Sequence, residues 1–331
     1  MDATFASFPI IDSHIHFTHH GWMNEILALM ESAACERFNL VCLPEQDGGN
    51  HNPIAMEFKQ HYPQKVYVSG ALDYLPVLEE SASAPQALEA QIHALKRDGF
   101  DGLKMIEGKP QVRKMIPYPL DGPLYAGMWG ALEQEDLPVI LHVADPEEFW
   151  DSERCPEWAR ESGWDYSSGS YPLREDLYNE VEHFLARHPR LKLILAHFYF
   201  LADNLPQAAH FLDAHPLVCF DLAPHMDMYR EFSQDPAAAR AFFLRYQDRI
   251  LYGTDIDTRA LDRGESGAAF MRYIPWLIRS FLERDDVFGK PGQPPYQGLG
   301  LPRETLERIY HLNFERLFGA LPVPLQNTDT Q

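Results

Sequence analysis

Short runs of apolar residues recur along the chain and alternate with longer segments of helical character. Several runs are almost continuously hydrophobic, as at 139–141 (Val-Ile-Leu) and 193–195 (Leu-Ile-Leu), which is typical of parallel strands buried on both faces. The pattern predicts eight strands, at residues 10–16, 38–43, 66–72, 102–105, 138–142, 192–196, 217–221 and 250–253.

Segments with helical periodicity lie between the predicted strands. Pro85, Pro123 and Pro236 fall at the starts of three of them, where the missing N–H of proline does no harm. Eight strands alternating with helices predict an α/β fold, a closed TIM-type (β/α)8 barrel, with an open doubly wound sheet as the alternative. The main predicted helices cover residues 23–35, 85–98, 123–135, 173–188, 236–246 and 303–318.

Three connections are longer than an ordinary loop. Residues 108–120 follow the fourth predicted strand, 144–171 follow the fifth, and 289–301 precede the last helix. The first two follow strand C-termini, which form the face of a barrel where active sites are built, so we expect them to shape a pocket. The chain is therefore predicted to be a single barrel domain over residues 1–331, with two long loops and an added C-terminal helix.

The balance of charged residues excludes some classes of partner. The 331 residues include 28 Lys and Arg against 49 Asp and Glu, which gives a formal net charge of −21. A strongly acidic chain repels polyanions, so neither nucleic acid nor an anionic membrane is expected as a partner. A small anionic substrate remains compatible, because a metal or local lysines can reverse the sign of the charge inside a pocket.

The remaining bulk features point to an ordinary soluble protein. The four cysteines lack the spacing of a disulfide framework or a Cys-rich zinc site, as expected in a reducing compartment. No signal-peptide pattern or membrane-length apolar run is evident, so a cytoplasmic location is expected. No residues mark an interface, and a homodimer is expected only because such symmetry is common.

Candidate metal ligands occur at the ends of four predicted strands. His14 and His16 lie two residues apart in the first strand, so both imidazoles project to the same face. His142 ends the fifth strand, His197 follows the sixth, and Asp255 follows the eighth. Imidazole and carboxylate groups are good ligands for zinc and similar divalent ions. A lone His-x-His motif proves little, but this ordered set predicts a metal site.

Five short motifs in these positions resemble those of the amidohydrolase superfamily. The similarity is closest to the amidohydrolase-related group, which contains nonoxidative decarboxylases such as aminocarboxymuconate semialdehyde decarboxylase. It extends over nearly the whole barrel and implies a distorted (β/α)8 barrel. The motifs are Asp12-Ser13-His14-Ile15-His16, Gly102-Leu103-Lys104, Leu141-His142, Ala196-His197 and Tyr252-Gly253-Thr254-Asp255.

The resemblance implies roles for the polar residues of these motifs. His14, His16 and His142 would be metal ligands. Asp255 would bind the metal, accept a proton from the metal-bound water, or do both. His197 would be a catalytic base and substrate binder in a one-metal enzyme, or a second metal ligand in a two-metal enzyme.

The resemblance also bears on the number of metal ions. In two-metal members of the superfamily a carboxylated lysine in the position of Lys104 bridges the ions, whereas in the narrower one-metal group a lysine here faces the substrate. The closer resemblance favours one divalent ion, with Zn expected and Mn or Fe as alternatives, over a two-metal site with a carboxylated Lys104.

Further side chains are candidates for binding a small-molecule substrate, including a carboxylate. Together with Lys104 we predict Arg113, Trp150 and His225 in this role, since all lie beyond the ends of strands. Aromatic rings such as Trp150 can wall off an organic substrate and exclude water. The alternatives are that Trp150 packs only within its own loop and that Arg113 is solvated.

Two reactions fit these residues, and a noncatalytic barrel with structural histidines is the third interpretation. The leading prediction is a hydrolase in which metal-activated water attacks an amide, lactone or ester carbonyl. The alternative is a metal-dependent decarboxylase, a lyase, that acts on an unsaturated or aromatic carboxylic acid. Only the pocket distinguishes these two reactions. A decarboxylase needs an aromatic slot with a cation for the departing carboxylate, whereas a hydrolase needs a clear path for the attacking hydroxide.

Overall fold

A parallel sheet forms the centre of the computed structural model, which describes residues 5, 7–45, 49–225, 227–290 and 292–321. Nine strands belong to this sheet, and a small antiparallel pair lies apart from it. The strands are β1 (Ile10–His16), β2 (Cys35–Val41), β3 (Val66–Gly70), β4 (Gly102–Gly108), β5 (Val139–Val143), β6 (Leu193–Leu195), β7 (Val218–Asp221), β8 (Ile250–Leu251), β9 (Ile256–Asp257), and the pair β10 (Val287–Phe288) and β11 (Tyr296–Gln297).

The main sheet follows the order of the chain and closes on itself. Its first eight strands are neighbours in sequence order, and β8 pairs with β7. A few residues later β9 pairs with β1, through Ile15 with Ile256 and His16 with Asp257. β8 and β9 are therefore two parts of the eighth barrel strand, interrupted at residues 252–255. The predicted distorted (β/α)8 barrel is confirmed, and the open doubly wound sheet is wrong.

Helices cover the outside of the barrel, and none in the described part of the chain is long and apolar enough to cross a membrane. The α-helices are α1 (Met23–Ser32), α2 (Asn52–His61), α3 (Leu75–Leu78), α4 (Ala84–Arg97), α5 (Pro110–Met115), α6 (Ala126–Gln134), α7 (Glu157–Glu161), α8 (Arg174–Arg187), α9 (Leu205–Ala214), α10 (Met228–Phe232), α11 (Pro236–Arg245), α12 (Glu265–Glu283), α13 (Arg303–Glu307) and α14 (Asn313–Phe318).

Two helices differ from their predicted extents. The helix predicted from residue 123 begins at Ala126, so Pro123 precedes the helix and does not lie in its first turn. The helix predicted over 303–318 is continuous, but it widens into a π-helical turn at Arg308–Leu312 between α13 and α14. The carbonyl of Ile309 in this turn accepts a hydrogen bond from the backbone N–H of Tyr252 at 2.9 Å. The wide turn therefore ties the last helix to the interrupted eighth strand.

The interior of the barrel is apolar at one end and polar at the other. Its apolar layer takes side chains from seven of the strands, and two residues of α14 complete it. The C-terminal helix thereby covers the apolar end, and the polar residues at the strand C-termini lie at the other end. The layer consists of Ile11, Val41, Tyr67, Ile140, Ile194, Cys219 and Leu251 from the strands, with Ala196, Phe314 and Leu317.

We expect Gly108→Ala, at the end of β4, to lower the free energy of unfolding by about 1–3 kcal/mol. A Cβ at Gly108 would lie 2.5 Å from the carbonyl oxygen of His142 and 2.9 Å from Cα of Val143, both backbone atoms that cannot easily move. Denaturant titration measures the change.

The matched control is Gly130→Ala within α6, where the nearest atom to a new Cβ is 4.0 Å away. Because alanine favours helix more than glycine does, this variant should gain about 0.5–1 kcal/mol. Equal effects of the two substitutions would contradict the close contact between β4 and β5.

Candidate metal centre and active site

Three side chains converge at the C-terminal end of the barrel. Oδ1 of Asp255 lies 3.1 Å from Nε2 of His16 and 3.3 Å from Nε2 of His14, and one ligand atom from each residue lies within 4.8 Å of the other two. Asp255 occupies the break between β8 and β9 with a positive φ of 54°. Its backbone N–H donates to the carbonyl of His14 at 2.9 Å, so the interruption of the eighth strand directs this carboxylate towards β1.

The imidazoles of His14 and His16 each bind an acceptor through Nδ1. Nδ1 of His14 lies 2.8 Å from Oδ2 of Asp221, and Nδ1 of His16 lies 3.1 Å from the carbonyl oxygen of Val41. Because both partners only accept hydrogen bonds, the proton of each neutral ring belongs on Nδ1. Each Nε2 therefore directs a lone pair towards Asp255, which is the orientation of a metal-binding histidine.

His142 and His197 are held in a similar way. Nε2 of His142 lies 2.9 Å from the carbonyl oxygen of Ala144, and Nδ1 of His197 lies 3.1 Å from that of Ala223. The remaining nitrogens, Nδ1 of His142 and Nε2 of His197, face each other at 3.1 Å. Burial lowers the pKa of both imidazoles below the ordinary histidine value, which favours neutral rings. Two lone pairs at this distance are stabilised by a cation or a proton.

The donor atoms at this end of the barrel therefore fit a divalent metal ion. His14, His16 and Asp255 supply two imidazole nitrogens and a carboxylate oxygen, a set that suits Zn, Mn or Fe. Positive charge at the facing imidazole nitrogens, supplied by a proton or by a bound cation, outweighs the effect of burial and holds the pKa of Asp255 well below its usual range, so the carboxylate is ionised. His142 and His197 lie beside this group, with the rings of His14 and His197 centred 5.8 Å apart.

Lys104 places a buried ammonium group against the metal-competent cluster. Its Nζ lies 3.0 Å from Nε2 of His14, and only 2% of the residue is exposed. Burial lowers the pKa of Lys104 to about 8, although the carboxylates of Asp255 and Asp221 oppose the shift. Within the described residues no carboxylate lies at ion-pair distance from this ammonium, whereas Lys109 is paired with Asp145 at 2.6 Å. A buried cation without such a partner favours an anionic ligand.

A cavity of about 340 Å³ opens above these groups. Lys104, His197 and His225 line it, together with four aromatic side chains, Phe149, Trp158, Trp164 and Phe200. Three of the four come from the long loop after β5, as the position of that loop predicts. The alternative expectation for the loop also holds, since Phe149, Cys155, Ala159 and Tyr166 form a small core of its own.

Two of the predicted substrate-binding residues lie outside the cavity lining. The indole N–H of Trp150 donates to the carbonyl of Pro172 at 3.0 Å, and its ring packs against Tyr166. Arg113 forms a buried two-pronged ion pair with Glu180, with N···O distances of 2.8 and 2.5 Å. Trp150 therefore stabilises the loop, and the guanidinium of Arg113 is occupied by Glu180. Neither side chain lines the cavity, and the contact of each with a substrate stays a prediction.

Two buried aspartates that hold the site together were not among the residues predicted from the sequence. Asp221 at the end of β7 accepts from the backbone N–H of His197 at 2.8 Å through the oxygen that does not bind His14. Asp145 accepts from Lys109, from the hydroxyl of Tyr166 at 2.6 Å, and more weakly from His142 at 3.3 Å. Both carboxylates follow apolar strands, so the signal used for His142 and Asp255 would also have selected them.

We expect Arg113→Met to lower the free energy of unfolding by about 3–5 kcal/mol, because it leaves the Glu180 carboxylate buried without its partner. Thermal or denaturant unfolding measures the loss. The double variant Arg113→Met/Glu180→Met is the control and should lose less than the single variant, since no unpaired charge remains. An unchanged stability combined with a raised KM for substrate would instead restore Arg113 as a substrate-binding residue.

Comparison with known proteins identifies the family and the fold. A sequence profile described as Amidohydrolase matches residues 11–320. Curated proteins give no significant sequence match.

Solved structures of similar fold cover 94% of the chain. They include a candidate amidohydrolase from Staphylococcus aureus (17% identity, TM-score 0.60, 100% of that chain). A 2,6-dihydroxybenzoate decarboxylase from Rhizobium gives 15% identity and a TM-score of 0.57 over 98% of its chain. A 5-carboxyvanillate decarboxylase from Novosphingobium aromaticivorans, complexed with manganese and 4-hydroxy-3-methoxy-5-nitrobenzoic acid, gives 13% identity and a TM-score of 0.55 over 96% of its chain. The profile match spans nearly the whole chain, and the chain therefore belongs to the amidohydrolase family.

Proposed function

We propose that this protein is a metal-dependent decarboxylase that acts on a small aromatic or unsaturated carboxylic acid. The observation that carries the proposal is Lys104, a buried cation that lacks a carboxylate partner among the described residues and lies 3.0 Å from a metal-competent imidazole. A substrate carboxylate would supply the missing negative charge next to the metal centre. Family membership makes the chain a metal-dependent enzyme, so the noncatalytic barrel is set aside.

The walls of the cavity support an unsaturated or aromatic substrate. Trp158, Trp164 and Phe149 lie on one loop, and Phe200 follows β6, so flat apolar surfaces surround the cationic floor. Such a slot binds a planar ring and excludes water. Two of the solved structures of similar fold are decarboxylases of substituted benzoates, which is consistent with this substrate class.

One divalent ion is the proposed cofactor. His14, His16 and Asp255 would hold it, with His142 as the fourth ligand from β5. A bound ion supplies Lewis-acid polarisation of substrate oxygen atoms and lowers the pKa of water. Manganese in a structure of similar fold makes Mn a candidate beside the Zn expected from the sequence.

The side chains around the cavity have separate roles in the proposed reaction. Lys104 binds and orients the carboxylate, and the aromatic walls hold the ring. The carbon–carbon bond to the carboxylate breaks, CO2 leaves, and a proton forms a carbon–hydrogen bond in its place. The electron pair of the broken bond stays on the substrate carbon and binds this proton. Asp255, an ionised carboxylate, and His197, a neutral imidazole at the cavity, would take the proton from water and deliver it to that carbon.

Hydrolysis, the leading prediction from the sequence, is the second candidate. The cluster of His14, His16 and Asp255 favours it, since a carboxylate beside a metal can take a proton from water for attack on a carbonyl. Lys104 and the aromatic slot add nothing that a hydrolase requires, and for this reason we favour decarboxylation.

We expect protein loaded with Mn²⁺ or Zn²⁺ and desalted to retain about one ion per chain. His16→Ala and Asp255→Ala should each lose most of it, because each removes one of the converging donor atoms. The control is His93→Ala, whose imidazole pairs with Glu135 on the outer helices. Elemental analysis measures the content. No bound ion would contradict the metal centre, and two ions per chain would indicate the two-metal site with a carboxylated Lys104.

A screen that follows CO2 release from hydroxybenzoates and unsaturated acids, in parallel with hydrolysis of amides, lactones and esters, tests the reaction. We expect CO2 release only. Lys104→Met should raise KM for the carboxylic acid at least about tenfold, as expected for loss of one charge-assisted contact. The control is Lys114→Met, an exposed lysine outside the cavity lining, which should leave KM unchanged. Turnover of an ester or amide without CO2 release would reject the decarboxylase.

A further inference from the structure

The chain makes a left-handed turn directly after β6, over residues 197–200. The φ angles of His197, Phe198, Tyr199 and Phe200 are 58°, 55°, 57° and 50°. Residues with a Cβ rarely adopt this conformation, and four in succession without a glycine or asparagine are unfavourable by themselves. The surrounding contacts must therefore hold the turn in place.

This turn builds one wall of the cavity. The ring of Phe200 is centred 5.4 Å from that of His142, 5.3 Å from that of His197 and 5.1 Å from that of His225. One aromatic side chain thus contacts three imidazoles at the cavity. A right-handed or extended path after His197 would carry Phe200 in another direction, so the wall depends on the left-handed conformation.

Two side chains of α8, neither of which lines the cavity, bind the carbonyls of the turn. A terminal nitrogen of Arg174 donates to the carbonyl of Phe200 at 2.6 Å, and the hydroxyl of Tyr178 donates to that of Tyr199 at 3.1 Å. The guanidinium also lies over the ring of Tyr178, 5.1 Å from its centre. Arg174 is the first residue of α8, directly after the long loop, and its side chain is only 14% exposed.

We propose that Arg174 is a positioning residue for the active site. Its charge-assisted hydrogen bond to the Phe200 carbonyl holds the left-handed turn. The turn determines the position of the Phe200 ring in the cavity wall and of the His197 imidazole. Arg174 acts through these residues and does not line the cavity. The inference rests on the proposed function only in taking this cavity as the active site.

The test compares Arg174→Met, which removes the donor, with Arg174→Lys, which keeps one. The matched control is Arg187→Met, because Arg187 lies on the same helix and also donates to a carbonyl, that of Asp121 at 2.7 Å, but outside the cavity lining. Hydrogen–deuterium exchange of the peptide covering residues 196–201 reports on the turn, where the N–H of Leu201 donates to the carbonyl of Phe198. Turnover and metal content are measured on the same metal-loaded preparations.

We expect exchange in residues 196–201 to become about tenfold faster in Arg174→Met, with an intermediate rate in Arg174→Lys and the wild-type rate in Arg187→Met. Turnover should follow the same order at unchanged metal content. Wild-type exchange in this segment of Arg174→Met, or equal loss of turnover in Arg187→Met, would overturn the proposal.

Two further outcomes distinguish the positioning role of Arg174 from the proposed decarboxylase function. If Arg174→Met does not fold, Tyr178→Phe replaces it, and faster exchange confined to residues 196–201 is again the expected result, while wild-type exchange would overturn the role of the α8 side chains. If the wild-type protein turns over no substrate of the screen, the decarboxylase fails, and the exchange comparison alone decides whether Arg174 holds the turn.

Discussion

The carboxylate of Asp221 connects the two halves of the site. One of its oxygens accepts from Nδ1 of His14 on β1, and the other accepts from the backbone N–H of His197 after β6. The group is fully buried, which would raise its pKa, but the contacts with His14 and His197 outweigh burial and lower the pKa of Asp221. The orientation of both imidazoles therefore depends on one ionised side chain that itself faces away from the solvent.

Buried charges of both signs lie close together at this end of the barrel. Asp145 is matched by Lys109, and Asp221 and Asp255 contact imidazoles. Among the described residues, the ammonium of Lys104 has a hydrogen-bond partner only in Nε2 of His14, and the carboxylates of Asp255, Asp221 and Glu107 act on it from beyond ion-pair distance. Binding a metal there would increase the positive charge around Lys104. The carboxylate of the proposed substrate would offset this added positive charge.

Much of the fold could be predicted because apolar strands buried on both faces leave a clear sequence signal. β1 has the predicted limits, and the structure brings together His142, His197 and Asp255, each of which was selected because it ends or follows such a run. The directions of loop side chains could not be predicted. Arg113 and Trp150 turn away from the cavity because Glu180 and Pro172 bind them, and these partners are distant in sequence.

The left-handed turn and the interrupted eighth strand also escaped prediction. No glycine marks residues 197–200, since tertiary contacts rather than local preference impose the conformation. The eighth strand was predicted as one run over 250–253, but its hydrogen bonds to β7 and to β1 involve different residues on either side of Asp255. This break arises because the eighth strand must pair with both β7 and β1 to close the barrel. A local pattern of apolar residues contains no information about that pairing.

The loop after β5 carries most of the aromatic wall on a small core of its own, and a few bonds through Asp145 fasten it to the barrel. Ala144 and Asp145 at the start of this loop hold the imidazole of His142, so the part of the loop that can change without disturbing a histidine of the site begins after Asp145. Most of the aromatic wall and the metal-competent histidines thus lie in separate parts of the chain, and exchange of one surface segment would change the shape of the cavity while the strands stay the same.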